Sequence, residues 1–133
     1  MRGLPGSGKS TKGEQLAQAY DAVICSTDFY WLDKPFNSGE LGIAHKSCQT
    51  AFVNALDSGK NALVDNTNTT YSEMKFYIEE ALKRNCEVYF GYSDTEWRED
   101  VNECFKKTIH GVPFETIQKM QERFISHENL AKM

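Results

Sequence analysis

The run Gly3-Leu4-Pro5-Gly6-Ser7-Gly8-Lys9-Ser10-Thr11 constrains this chain more than any other stretch in it. It fits the spacing G-x-x-x-x-G-K-[ST], in which a glycine-rich loop leaves a strand and opens a helix. Gly3, Gly6 and Gly8 let the backbone take positive φ and wrap closely around an anion. The N–H groups of such a loop converge as a nest, and a helix starting near Lys9 adds its positive N-terminal end. Lys9 brings a mobile ammonium for the β/γ-phosphates, and the Ser10 hydroxyl is the expected Mg²⁺ ligand. Gly3, Gly6, Ser7, Gly8, Lys9, Ser10 and Thr11 are therefore the expected nucleotide-binding residues. The competing reading, a glycine turn that merely caps a helix, does not account for a full match followed by a helical pattern.

The rest of the chain alternates short apolar runs with amphipathic ones. A helix is expected from 9 to about 20, a strand over 22–26 and a helix over 40–58 that ends at Gly59. A second strand follows at 62–65. A capping box of Thr70 and Glu73 then opens a helix to about 85. The spacing predicts a strand over 86–92, a helix over 95–108, a break at 110–113 and a last helix from 114 to about 126. This order specifies one α/β domain over 1–133, with a parallel sheet of about three to four strands and helices on both faces. Only Met1 and Arg2 precede the loop, where a strand of about five to six residues is expected. The first strand thus reads as truncated, and an apolar strand upstream, lying between the 62–65 and 86–92 strands, is the expectation.

Ligands of such sheets sit beyond the carboxyl ends of the strands. The glycine loop, Asp28 and the Asn66–Asn68 loop all follow strand ends and share one rim. Asp28 is placed to accept the proton of an attacking hydroxyl, or to hold Mg²⁺ through water; the alternative is an N-cap or loop aspartate. Asp65 ends an apolar strand, which suits a second-shell Mg²⁺ role as well as a backbone-capping one. Lys106, Lys107 and His110 lie on a segment, about 95–113, that could close over a nucleotide as a lid; a solvated helix face is the plainer alternative. Arg123, in the last helix, reads as an ion-pair partner. Phe29, Tyr30 and Trp31 either stack a base or cover the core. His45 and His127 read as packing or surface residues.

Charge and cysteines narrow the setting. A net charge of −4 argues against a general nucleic-acid coat, though not against a locally basic cleft. No apolar run approaches the ~20 residues of a membrane span. Cys25, Cys48, Cys86 and Cys104 have no metal-site spacing, and they read as buried, reduced thiols of a cytoplasmic protein.

The glycine loop, Ser26-Thr27-Asp28, Val64-Asp65-Asn66-Thr67-Asn68 and Ile109-His110-Gly111-Val112-Pro113, in this order, resemble P-loop kinases of the polynucleotide 5′-hydroxyl kinase type. The similarity is closest to the subgroup found in phages and in the kinase domain of a mammalian ubiquitin-ligase-binding protein, and covers the chain from Gly3 to about Arg123. The resemblance implies ATP and Mg²⁺ as cofactors, and Asp28 as the residue that activates the acceptor hydroxyl. It also implies Asn66 and Asn68 beside the acceptor. Trp31 stands where relatives of this type carry a phosphate-gripping arginine, and Lys106 and Lys107 stand where their lid offers arginine. Lysine is a point charge without the bidentate fork. The expected catalytic residues are Lys9, Asp28, Lys106 and Lys107; the acceptor residues are Trp31, Asn66 and Asn68; the metal residues are Ser10, Asp28 and Asp65. The expected activity is ATP-dependent phosphoryl transfer to a hydroxyl, with a nucleic-acid 5′ end as the leading acceptor. The alternatives are a small-molecule or nucleoside kinase, and an ATP-binding module of weak turnover that works through a protein partner.

Overall fold

A computed structural model describes residues 1–108, 111–125 and Asn129. The chain begins as an extended stub and the glycine loop, then enters α1 (Lys9–Tyr20), which ends where Asp21 takes a left-handed turn and donates its N–H to the Ala17 carbonyl. β1 (Ala22–Cys25) leads into a 3₁₀ turn (Thr27–Trp31), and a second 3₁₀ turn (Ser38–Glu40) opens α2 (Leu41–Asp57). β2 (Asn61–Val64), α3 (Tyr71–Lys83), α4 (Val101–Lys107) and α5 (Phe114–Arg123) complete the order.

β1 and β2 pair in parallel, Val23 opposite Ala62 and Cys25 opposite Val64. Because side chains alternate along a strand, those four share one face of the sheet. They pack with Cys48 and Phe52 of α2, and with Tyr77 and Ala81 of α3. Phe52 and Tyr77 meet edge to face at 5.1 Å, a favoured aromatic geometry. On the opposite face Leu63 meets α1, where Gly13 is so close that a Cβ there would lie 3.4 Å from Leu63 Cδ2. Helices therefore cover both faces. A second cluster joins Leu4 of the glycine loop to Cys104 of α4 and Ile117 of α5, with Trp97, Val101 and Phe124 against it. Among the described residues, no helix is long and apolar enough to cross a membrane.

Several expectations change. The ladder has two strands among the described residues, not about three to four, and 86–92 lies outside it. A strand needs a partner, and the neighbour on this side is the short stub. The Met1 amino group donates to the Val64 carbonyl (2.7 Å), the Arg2 N–H to Gly91 (2.9 Å) and the Gly3 N–H to Thr67 (3.0 Å). Successive N–H groups thus alternate between the β2 side and the 86–92 side, as in a central strand. Burial lowers the Met1 amine to about 6, against the opposing pull of Asp65. The helix expected over 95–108 is a turn at 96–99 followed by α4, because the Asp100 carboxylate accepts from Asn102 N and Glu103 N and caps the helix there. Thr70 makes no side-chain cap; Glu73 instead reaches Thr69, accepting from its N–H (3.3 Å) and its hydroxyl (2.5 Å). All the cysteines are free, but Cys86 is only half-buried, since the segment it opens lies outside the ladder. Burial pushes the Cys25 thiol up to about 11.

Candidate active site

The glycine loop takes the expected positive φ at Gly6 and Gly8 but not at Gly3, which is glycine for want of room: a Cβ there would lie 2.7 Å from the Ser7 hydroxyl oxygen. Gly6 (φ 79°) and Gly8 (φ 91°) are left-handed. At Gly6 a Cβ would lie 2.0 Å from the Cys104 carbonyl oxygen, so no other residue fits there. Gly8 caps α1, and the Lys12 N–H closes the first helical turn onto its carbonyl (3.2 Å). Inside the loop the Ser7 N–H donates to Leu4 (3.1 Å). The Ser7 hydroxyl is fully buried and has no hydrogen-bond partner among the described residues. Thr11 is exposed on the first turn of α1.

Asp65, at the carboxyl end of β2, is the residue on which the loop's side chains converge. The Ser10 hydroxyl donates to its Oδ2 (2.8 Å), and Lys9 Nζ stands 3.6 Å from its Oδ1, an ion pair slightly too long for a hydrogen bond. Both side chains of that pair are about nine-tenths buried, with 11% of Lys9 and 10% of Asp65 exposed. A hydroxyl, a carboxylate and an ammonium packed beside a positive-φ glycine loop form a donor set suited to a phosphate and its counter-ion. Among the described residues, no group of three or more His, Cys, Asp or Glu side chains is placed to hold a metal ion.

Asp28 rides on the 3₁₀ turn after β1, the strand adjacent to β2. Ser26 caps the turn by accepting from the Asp28 N–H (3.2 Å), and the Asp28 side chain is exposed. The turn is tied to the Asp65 loop by Asn66, whose Oδ1 accepts from the Thr27 N–H (2.9 Å) while its Nδ2 faces Cys48 Sγ (3.7 Å). His45 of α2 is 3.4 Å from the Thr27 hydroxyl. Trp31 is half-buried in an aromatic group, edge-on to Tyr30 (4.7 Å) and tilted against Phe36 (5.0 Å). Asn68 is buried in a left-handed conformation, and its amide donates to the Met1 carbonyl (2.8 Å). Its side chain braces the stub.

Lys106 and Lys107 lie on the exposed side of α4. Both pair with Glu103 (3.3 and 3.9 Å), and Lys107 also sits over the Trp97 ring (4.6 Å). His110 and His127 lie outside the described residues. Arg123 donates to the Thr69 hydroxyl (3.1 Å), and among the described residues it pairs with no carboxylate.

Arg2, Thr95 and Trp97 are also built into this site. Arg2 is only 1% exposed, and its guanidinium donates to the carbonyls of Asn68 (2.8 Å), Thr69 (3.1 Å) and Ile125 (2.5 Å) and to the Tyr92 hydroxyl (2.8 Å), with the Phe124 ring at 4.5 Å. It fastens the foot of the glycine loop to the end of α5. Thr95 donates to the Ser7 carbonyl (2.6 Å), and the Trp97 indole donates to the Gly6 carbonyl (3.1 Å). No spacing rule marks any of the three; an arginine directly before a glycine loop was the one available hint.

A left-handed glycine loop at a helix N-terminus, facing the acidic end of a parallel strand, defines a P-loop nucleotide-binding domain. Residues 1–126 match the AAA domain family, and the chain belongs to it, within its P-loop kinase-like class. Over 134 aligned residues the chain is 37% identical to NEDD4-binding protein 2 of Homo sapiens, with 95% of this chain covered. It spans 8% of the length of that relative.

Proposed function

We propose that this domain binds ATP with Mg²⁺ and transfers the γ-phosphoryl group to a hydroxyl acceptor, a nucleic-acid 5′-hydroxyl foremost. The observation that carries the reading is the convergence of Lys9 and Ser10 on Asp65, next to the Asp28 turn. Phosphoryl transfer asks the protein mainly for positioning and charge. Lys9 supplies the cation for the β/γ-phosphates, and the loop N–H groups hold their oxygens. Ser10 and Asp65 would hold Mg²⁺, which when bound neutralises charge developing on the phosphates. Asp28, on the neighbouring strand end, orients the acceptor hydroxyl and takes its proton. Asn66 fixes the turn that carries Asp28, and Trp31 offers an aromatic face to a base.

A weakly catalytic ATP-binding module acting through a protein partner is the second reading. It is favoured by the Glu103 pairing of Lys106 and Lys107, which turns the lid cations to other work, and it suits a relative named for binding another protein. A γ-labelled ATP transfer screen over 5′-hydroxyl DNA, 5′-hydroxyl RNA, nucleosides and sugars separates the two. Label on the oligonucleotide 5′ end is the expected result. MgATP binding with no acceptor labelled would select the second reading.

A further inference from the structure

We infer that Thr95 and Trp97 are positioning residues for phosphate binding, which they serve by holding the carbonyls of Gly6 and Ser7 on the outside of the glycine loop. A peptide unit is planar and trans, so its C=O and N–H point opposite ways. A nest binds an anion only while its carbonyls face away, and glycines make this hard to guarantee, because a peptide flanked by Gly flips at little cost. The Ser7–Gly8 peptide has its carbonyl held by the Thr95 hydroxyl at 2.6 Å. Its N–H, on Gly8 at the start of α1, must then point the other way. The Gly6–Ser7 peptide is held at both ends, its carbonyl by the Trp97 indole at 3.1 Å and its N–H by the Leu4 carbonyl at 3.1 Å.

The two donors are themselves fixed. The Thr95 methyl lies where a Cβ on Gly8 would meet it at 2.8 Å, and the Ser93 hydroxyl is 3.4 Å from the Thr95 hydroxyl. Trp97 packs against the cluster of Leu4, Cys104 and Ile117, and Lys107 covers its ring. The segment between 93 and 108 is thus a brace behind the loop. Thr95 and Trp97 act on the phosphates only through the loop's backbone.

This inference rests on the loop's being a phosphate site, and the test keeps the two apart. MgADP and inorganic tripolyphosphate are titrated calorimetrically into the wild-type 133-residue chain and into Thr95→Val, which keeps the shape and removes the donor, and Thr95→Ser, which restores it. Thr95→Val is expected to weaken both ligands about tenfold, by the same factor, since a lost hydrogen bond to a carbonyl of the cradle acts on phosphate and not on the base. Thr95→Ser is expected to bind within about twofold of wild type on the same ground. Melting temperatures measured without ligand should not follow the order of affinities. Should Thr95→Val fail to fold, Thr95→Ala carries the same expectation, because it removes the same hydroxyl from the Ser7 carbonyl. Wild-type binding with variants that bind equally well would overturn the inference, as would an equal loss in Thr95→Ser. A wild-type chain that binds neither ligand would instead overturn the phosphate site itself.

Discussion

The glycine loop and the Asp28 turn lie on one rim, yet they are built to opposite standards. In the loop the carbonyls of Leu4, Gly6, Ser7 and Gly8 all accept hydrogen bonds, two of them from side chains distant in sequence. Leu4 is rooted in a cluster, and the Lys9–Asp65 pair is largely buried. The Asp28 turn packs on α2, where Tyr30 donates to Glu40 (3.1 Å) and Thr27 lies beside His45. It is held by the Ser26 cap and the Asn66–Thr27 bond, but its outer surface is open, with Phe29, Leu32 and Phe36 exposed. A preorganised cradle holds fixed charges without reorganising when a phosphate arrives. An open, aromatic turn can adapt to its ligand. Damage on the loop side should therefore appear in nucleotide affinity, and damage on the turn side in acceptor handling and rate.

The largest expected effect is on the turn. Asp28→Asn should leave MgATP affinity unchanged and lower transfer by ~10²–10⁴-fold, the usual range for a general base. Single-turnover transfer rates beside calorimetry check it; a wild-type rate would make Asp28 a structural residue of its turn. Trp31→Ala sharpens the same division. It should raise the acceptor KM by the equivalent of ~1–3 kcal/mol, the worth of one stacking contact, and leave ATP binding alone. A fall in melting temperature with unchanged KM would place Trp31 in packing rather than recognition.

The smallest effect is expected on α4. Exposed ion pairs are worth ~0–1 kcal/mol, so Lys106→Ala with Lys107→Ala should slow transfer by no more than about fivefold and leave ATP affinity intact. Loss of affinity instead of rate would move these lysines to the loop side of the division. No change in either would make them a solvated helix face.

What was legible in the sequence follows the same line. The glycine loop could be read because its chemistry is local: positive-φ glycines, then a lysine and a serine at the head of a helix. α1, α2, β1 and β2 could be read from periodicity. The 86–92 run has strand composition, but pairing is set by what lies beside it, and there Arg2 N–H makes the contact to Gly91. The helix expected from 95 starts at Val101 because Asp100 supplies a better cap. The roles of Arg2, Asn68, Thr95 and Trp97 are hydrogen bonds to backbone carbonyls or, for Asn68, to Met1 across long sequence separations, and no pattern of residue types announces which carbonyl will come within reach.

Lys9, poised against Asp65 in a preorganised loop, is the cation expected to bind the phosphates of ATP. Calorimetric titration of MgATP into wild type and Lys9→Ala tests it most directly. Wild type should show one binding site, and the variant an affinity about 10- to 150-fold lower, the worth of a charge-assisted hydrogen bond. An unchanged affinity in Lys9→Ala would contradict it.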